Sequence, residues 1–238
     1  MHKTGSTSIQ HFLRDQGALV ARAGAHVPPG FLIPTLHSDL PLLVLRPEFR
    51  WPARLRFPET EHPGWQRAAA GHVRAVADEH GVTVWSHEDL SYVRHDDELE
   101  RLRDLLGDAP VHVVLYRRDR TAFLRSYREQ VLATGFQLSD DPASFAYVGP
   151  DSWLADHEAL ARTYRRGFGK GNVTVLDYDA VVRDEGSVIP SFADLLGVPR
   201  PELPDPGPYY LNRSGEQLRL TDAQLAAIRR RAVEQRRP

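Results

Sequence analysis

The 238-residue chain has no cysteine. That excludes disulfides, thiolate metal sites and cysteine nucleophiles together. It also lacks an excess of charge of either sign: 30 basic side chains stand against 32 acidic ones, a net charge of −2. Such a balance argues against nonspecific binding of nucleic acid and leaves only a local basic site open. No apolar run reaches membrane-span length and no leader precedes the first helix, so the expectation is a cytoplasmic chain without an integral membrane segment. There is no internal repeat and no low-complexity linker, which predicts one domain over 1–238. Lysine occurs only at positions 3 and 170.

What is present begins at once. His2-Lys3-Thr4-Gly5-Ser6-Thr7-Ser8 places a cation, a glycine and a run of hydroxyls ahead of an amphipathic helix. Ile9, Phe12, Leu13, Leu19, Val20 and Ala23 keep one face of that helix apolar. The first turn of a helix leaves backbone N–H groups unpaired, and the positive end of its dipole favours an anion. Gly5 permits a tight turn and Lys3 adds a point charge. The plainer reading is a surface helix capped by Thr4 or Ser6, with Lys3 in solvent. The loop does not match GxxxxGK[ST], because Lys3 comes before the glycine and the first glycine is absent.

Further along, 24–30 is rich in turn residues. Residues 31–64 carry many prolines and little periodicity, with one short helix near Leu40–Leu45; long irregular stretches of this kind are often binding loops. Helices are expected over 65–80, around Leu99–Leu106, over 119–134, 153–167, 187–196 and 221–236. Strands are expected at Val82–Ser86, Val111–Tyr116 and Val173–Tyr178, where β-branched and aromatic residues cluster. This alternation predicts an α/β fold: a parallel sheet flanked by helices on both faces, in three α/β/α layers. Ligands of such sheets bind where strands end and helices begin. A second candidate anion site follows the middle strand: Arg118 leaves its end and Ser126 lies eight residues on. A guanidinium fork and a hydroxyl suit a phosphate, although arginines beside a helix are ordinarily solvated.

Together these segments resemble the sulfotransferases that use 3′-phosphoadenosine-5′-phosphosulfate (PAPS). Lys3-Thr4-Gly5-Ser6-Thr7-Ser8 is similar to their 5′-phosphosulfate loop, with His2 in place of the usual proline as in bacterial members. Arg118 and Ser126 are similar to the pair that holds the 3′-phosphate. Trp85–Leu90 resembles the Ser-Ser-Glu segment of bacterial members, and the order of later segments, through Phe192–Gly197 to Asn212-Arg213-Ser214, is also similar.

The resemblance implies a P-loop-like fold and transfer of a sulfuryl group from PAPS to a hydroxyl or amine, with no metal and no covalent intermediate. It implies that Lys3 neutralises charge on the bridging oxygen, that Thr4 to Ser8 hold the 5′-phosphate, and that Arg118 and Ser126, with Arg213 approaching from the C-terminal side, hold the 3′-phosphate. Glu88 is the first candidate for the base that takes the acceptor proton, provided its pKa rises towards neutrality. His37 is the second and His87 the third; each has a plain surface or structural reading beside it. The acceptor expected by analogy is a glycan or another small molecule, such as a carbohydrate or glycolipid. Trp51, Trp65, Tyr209 and Tyr210 are read as core, and the arginines at 229–231 and 236–237 as a solvated helix end.

In that family a central strand runs directly into the loop, and this sequence begins without one, so the first strand is expected to be missing and the 238-residue form to be less stable than one extended upstream. Two alternatives stay open: a protein of the same fold that binds adenosine 3′,5′-bisphosphate without catalysis, and a P-loop kinase or NTPase.

Overall fold

A computed structural model describes residues 2–79, 81–205 and 221–236. In chain order the helices are α1 (Ser6–Asp15), α2 (Gly17–Arg22), α3 (Asp39–Val44), α4 (Pro52–Arg56), α5 (Pro63–Glu79), α6 (Asp96–Leu106), α7 (Arg120–Ala133), α8 (His157–Phe168), α9 (Tyr178–Glu185), α10 (Ile189–Leu195) and α11 (Asp222–Glu234). The strands are β1 (Val113–Arg117), between α6 and α7, and β2 (Val173–Asp177), between α8 and α9.

The two strands pair in parallel, with Val113 opposite Val173 and Arg117 opposite Asp177. Alternation along them divides the core. Leu115 and Val173 face a large apolar cluster built from α3, α5, α6, α7 and α8. Tyr116, with Val114 and Leu176 beside it, faces a second cluster built from α1, α2 and α10. The sheet is therefore small but covered by helices on both faces, as βαβ connections require. Both strand ends deliver their chain directly into a helix capped by an aspartate: Asp119 accepts from the Ala122 N–H, and Asp177 from the Ala180 N–H.

Three expectations fail. The anticipated three-stranded sheet has two strands, because 82–86 makes a single parallel bridge between Thr83 and His26. The His26 N–H donates to the Val82 carbonyl and the Val84 N–H to the His26 carbonyl. The next rung needs a donor at position 28, and proline has none. At the other end, the Ser86 N–H is taken by the His37 ring. A P-loop-like topology is thus not established by this sheet, and among the described residues no further strand pairs with β1 or β2. The first helix also divides, since Gln16 leaves the helical region and Gly17 starts α2. The helix expected over 153–167 begins only at His157, behind the Asp156 cap. Helices α4 and α9 were not anticipated.

Candidate anion site at the start of α1

The opening loop is backbone-constrained. Lys3 adopts φ 56°, in the left-handed region that non-glycine residues seldom occupy, and Gly5 follows at φ 78°. A β-carbon on Gly5 would stand 2.7 Å from Cγ2 of Val188, which precedes α10. The loop is therefore pressed against its neighbour, and only glycine fits both the angle and the space. Helix α1 starts immediately afterwards with no side-chain cap. Its buried Ile9, Phe12 and Leu13 fix the axis against the second cluster.

Arg118, one residue past β1, reaches this loop. Its Nη1 donates to the Lys3 carbonyl oxygen at 3.2 Å. Its Nε lies 3.5 Å from Oδ1 of Asp179, and its guanidinium covers the Tyr178 ring at 5.2 Å. The Arg118 N–H donates to Nδ1 of buried His157 at 3.4 Å. The two cationic segments read from the sequence therefore meet at one edge of the sheet. Ser126 is half-buried on α7 and makes no side-chain hydrogen bond among the described residues; the expected Arg118–Ser126 pair is not joined by direct contact. Arg213, Tyr209 and Tyr210 lie outside the described residues.

The Lys3 ammonium makes no ion pair or hydrogen bond among the described residues. Burial lowers its pKa; Glu88 and Glu129 act against that, and Arg118 adds to it. Glu88 opens a short 3-10 turn, Glu88–Tyr92. Its Oε2 accepts from the Ser6 hydroxyl at 3.0 Å and faces Nδ1 of His2 at 3.6 Å, and its Oε1 accepts from Nε2 of Gln130 at 3.3 Å. Burial would push the Glu88 carboxyl up, but the facing His2 ring, with His87 and the Ser6 hydroxyl, outweighs it and holds the group well below the ordinary carboxylate range. The role of base required the reverse, a pKa raised towards neutrality. Sequence reasoning could not foresee the His2 ring, 86 residues away in sequence, facing this carboxylate.

His2 is 2 % exposed. Its Nε2 faces Oδ1 of Asp89 at 3.6 Å, and its ring lies against Tyr92 and Tyr127 at 4.6 and 5.3 Å. His2, Glu88 and Asp89 offer ligand-type atoms within 4.8 Å of one another. The closest approaches use opposite ring nitrogens, Nδ1 towards Glu88 and Nε2 towards Asp89, so the ring stands between the two carboxylates.

His37 is buried with both nitrogens engaged. Nε2 is 2.8 Å from the Pro28 carbonyl, and Nδ1 accepts the Ser86 N–H at 2.9 Å. These partners require the neutral tautomer protonated on Nε2. Burial lowers its pKa. His37 is thus a brace between two loops with no lone pair free for an acceptor proton. His87 turns its Nδ1 to the Asp89 N–H. Beside α1 lies a cleft of about 360 Å³ whose walls include Gln10, Arg14, His26, Pro28, His37 and Ser86.

Trp51 and Trp65 are fully buried, as read from the sequence. Arg229, Arg230 and Arg231 are exposed, as read from the sequence, with Arg229 also donating to the Arg56 carbonyl; Arg236 is half-buried and donates to the Glu59 carbonyl. Sequence reasoning missed Asp89, Gln130, His157 and Asp179 as neighbours of the site. A signal existed for Asp179: it follows β2 as Arg118 follows β1, so parallel register brings the two together. No protein-family model, no curated protein and no solved structure matches the chain.

Proposed function

We propose that this chain is a PAPS-dependent sulfotransferase, moving a sulfuryl group to a hydroxyl or amine of a small-molecule or glycan acceptor. One observation carries the reading: Arg118 donates to the carbonyl of Lys3, across 115 residues of sequence. A nucleotide with phosphate-type groups at two positions needs two cationic sites on one edge, and these are the two cations. The residues suit an anion in three further respects. Lys3 is not consumed by an ion pair, the start of α1 lacks a side-chain cap, and no hydrogen bond is made by Nη2 of Arg118 among the described residues. The donor supplies an activated sulfuryl group. The chain's part is to hold its charges, with Lys3 neutralising the oxygen that leaves sulfur and the first turn of α1 orienting the 5′ end. We assign the acceptor to the cleft beside α1, which Ser86 links to the turn carrying Glu88.

The test is transfer of ³⁵S from labelled PAPS to a panel of sugars, lipids and phenols. Lys3→Ala should reduce transfer at least about 100-fold, the scale of losing one transition-state donor, while the chain stays folded. Absence of transfer to every acceptor overturns the proposal, and transfer unaffected by Lys3→Ala overturns the role given to Lys3.

A second reading is favoured by a specific observation. Glu88 is held as a carboxylate of low basicity and His37 is locked in backbone hydrogen bonds, so neither is poised as a base. A protein that binds adenosine 3′,5′-bisphosphate and transfers nothing fits that pair of facts, and binding without transfer in the same assay would select it.

A further inference from the structure

We infer that His2 is a positioning residue that keeps Lys3 available to an anion by occupying Glu88, the nearby carboxylate with the largest influence on Lys3. The inference deepens the functional reading above and rests on it for the choice of nucleotide.

A half-buried lysine next to a carboxylate ordinarily ends in an internal ion pair, because the attraction grows as water is excluded. Glu88 is the carboxylate with the largest influence on Lys3, yet no such pair forms. Every face of Glu88 is committed elsewhere, to His2, Ser6 and Gln130. Asp89 is committed likewise: Oδ1 faces His2, and Oδ2 accepts from Nε1 of Trp51 at 3.0 Å. His2 faces both, and His87 also stands 3.7 Å from Oδ2 of Asp89 and acts on Glu88.

The ring cannot easily leave that position. Tyr92 and Tyr127 wall it in, their hydroxyls are 2.9 Å apart, and the Tyr127 hydroxyl donates to the Phe145 carbonyl at 2.9 Å. The groups facing His2 are therefore Glu88, Asp89 and Tyr92 from the turn and Tyr127 from α7. Without the imidazole, Glu88 would lose the ring that faces it, and Lys3, on which it already acts, would be free to pair with it. An ion pair there would compete directly with an incoming phosphate or sulfate. A histidine directly before the lysine thus performs a charge function that an apolar residue could not.

Two variants test this, His2→Asn and the double variant His2→Asn/Glu88→Gln. The Lys3 ammonium is followed by NMR titration after ¹³C-methylation; Lys170, the only other lysine and an exposed one, is the internal reference. In His2→Asn the Lys3 titration should move to higher pH as Glu88 pairs with it, and in the double variant it should return to or below its original position. Affinity for adenosine 3′,5′-bisphosphate should fall about tenfold in His2→Asn and recover to within about threefold in the double variant, the recovery being the mark of charge competition. If His2→Asn does not fold, His2→Gln replaces it in both arms. An unmoved Lys3 titration, or a double variant as weak as the single one, overturns the inference by reducing His2 to a structural role. Stoichiometric binding of zinc that disappears in His2→Asn overturns it by assigning the three residues to a metal. If the unaltered chain binds no nucleotide, the functional reading fails instead, and the Lys3 titration alone decides the role of His2.

Discussion

At the scale of single residues, the opening loop was the most legible part of the chain. Its chemistry is local: a cation, a glycine and hydroxyls within seven positions dictate a turn that leads into a helix. What surrounds it was not legible, because charge partners are chosen by the fold. Glu88 illustrates this. From sequence it is a carboxylate after a β-rich segment, and only the approach of His2 decides that its pKa falls rather than rises. Gly5 offers a test at the same scale. It occupies φ 78° with Val188 Cγ2 2.7 Å from the position of a β-carbon. Gly5→Ala should therefore destabilise the chain by about 1–3 kcal/mol through backbone strain and displacement of Val188, seen as a lower midpoint in urea denaturation. An alanine variant as stable as the parent would mean that the loop is not pressed against Val188.

At the scale of elements, most helices were readable because an amphipathic period of 3.6 survives whatever the helix packs against, as in α5, α6 and α7. The strands were less so. The Val82–Ser86 segment has the composition of a strand, but a strand exists only through its neighbour, and Pro28 withholds the donor for the next rung. The junction between α3 and α6 shows how much of the structure lies in such non-local satisfaction. Glu98, 2 % exposed, accepts the backbone N–H groups of Arg46 through Oε1 and of Arg94 and His95 through Oε2. It thereby caps α6 and ties the segment after α3 to it. Glutamine keeps the shape but has only one acceptor oxygen, so at least one buried donor is orphaned. Glu98→Gln should cost about 1–3 kcal/mol of stability, measured by denaturant unfolding, with the far-ultraviolet circular dichroism unchanged. A neutral effect would show that water satisfies these donors.

At the scale of the whole molecule, the sheet edge bearing the candidate site depends on a brace distant in sequence. His37 joins the Pro28 carbonyl to the Ser86 N–H, and so fixes the wall of the cleft to the segment that leads into Glu88. Only the neutral ring can do this, since the Ser86 N–H needs the lone pair on Nδ1. Burial accordingly holds the His37 pKa below the ordinary histidine value of 6.5, helped by the charges of His87 and His72. The sign follows. A depressed histidine favours the folded state while neutral, so its contribution is complete above pH 6.5 and is lost as pH falls below that value. His11 and His157 are also lowered chiefly by burial and slope the same way. The melting temperature should therefore fall between about pH 7.5 and about pH 5.5, a window in which histidine alone among ordinary side chains changes charge. His37→Gln should melt lower at pH 7.5, because the brace is weakened, yet show a shallower slope over the same window, the remainder belonging to His11 and His157. A variant with the parent's full slope would mean that the ring stays neutral for reasons unconnected with this brace, and that the cleft wall and the Glu88 turn are not held together through it.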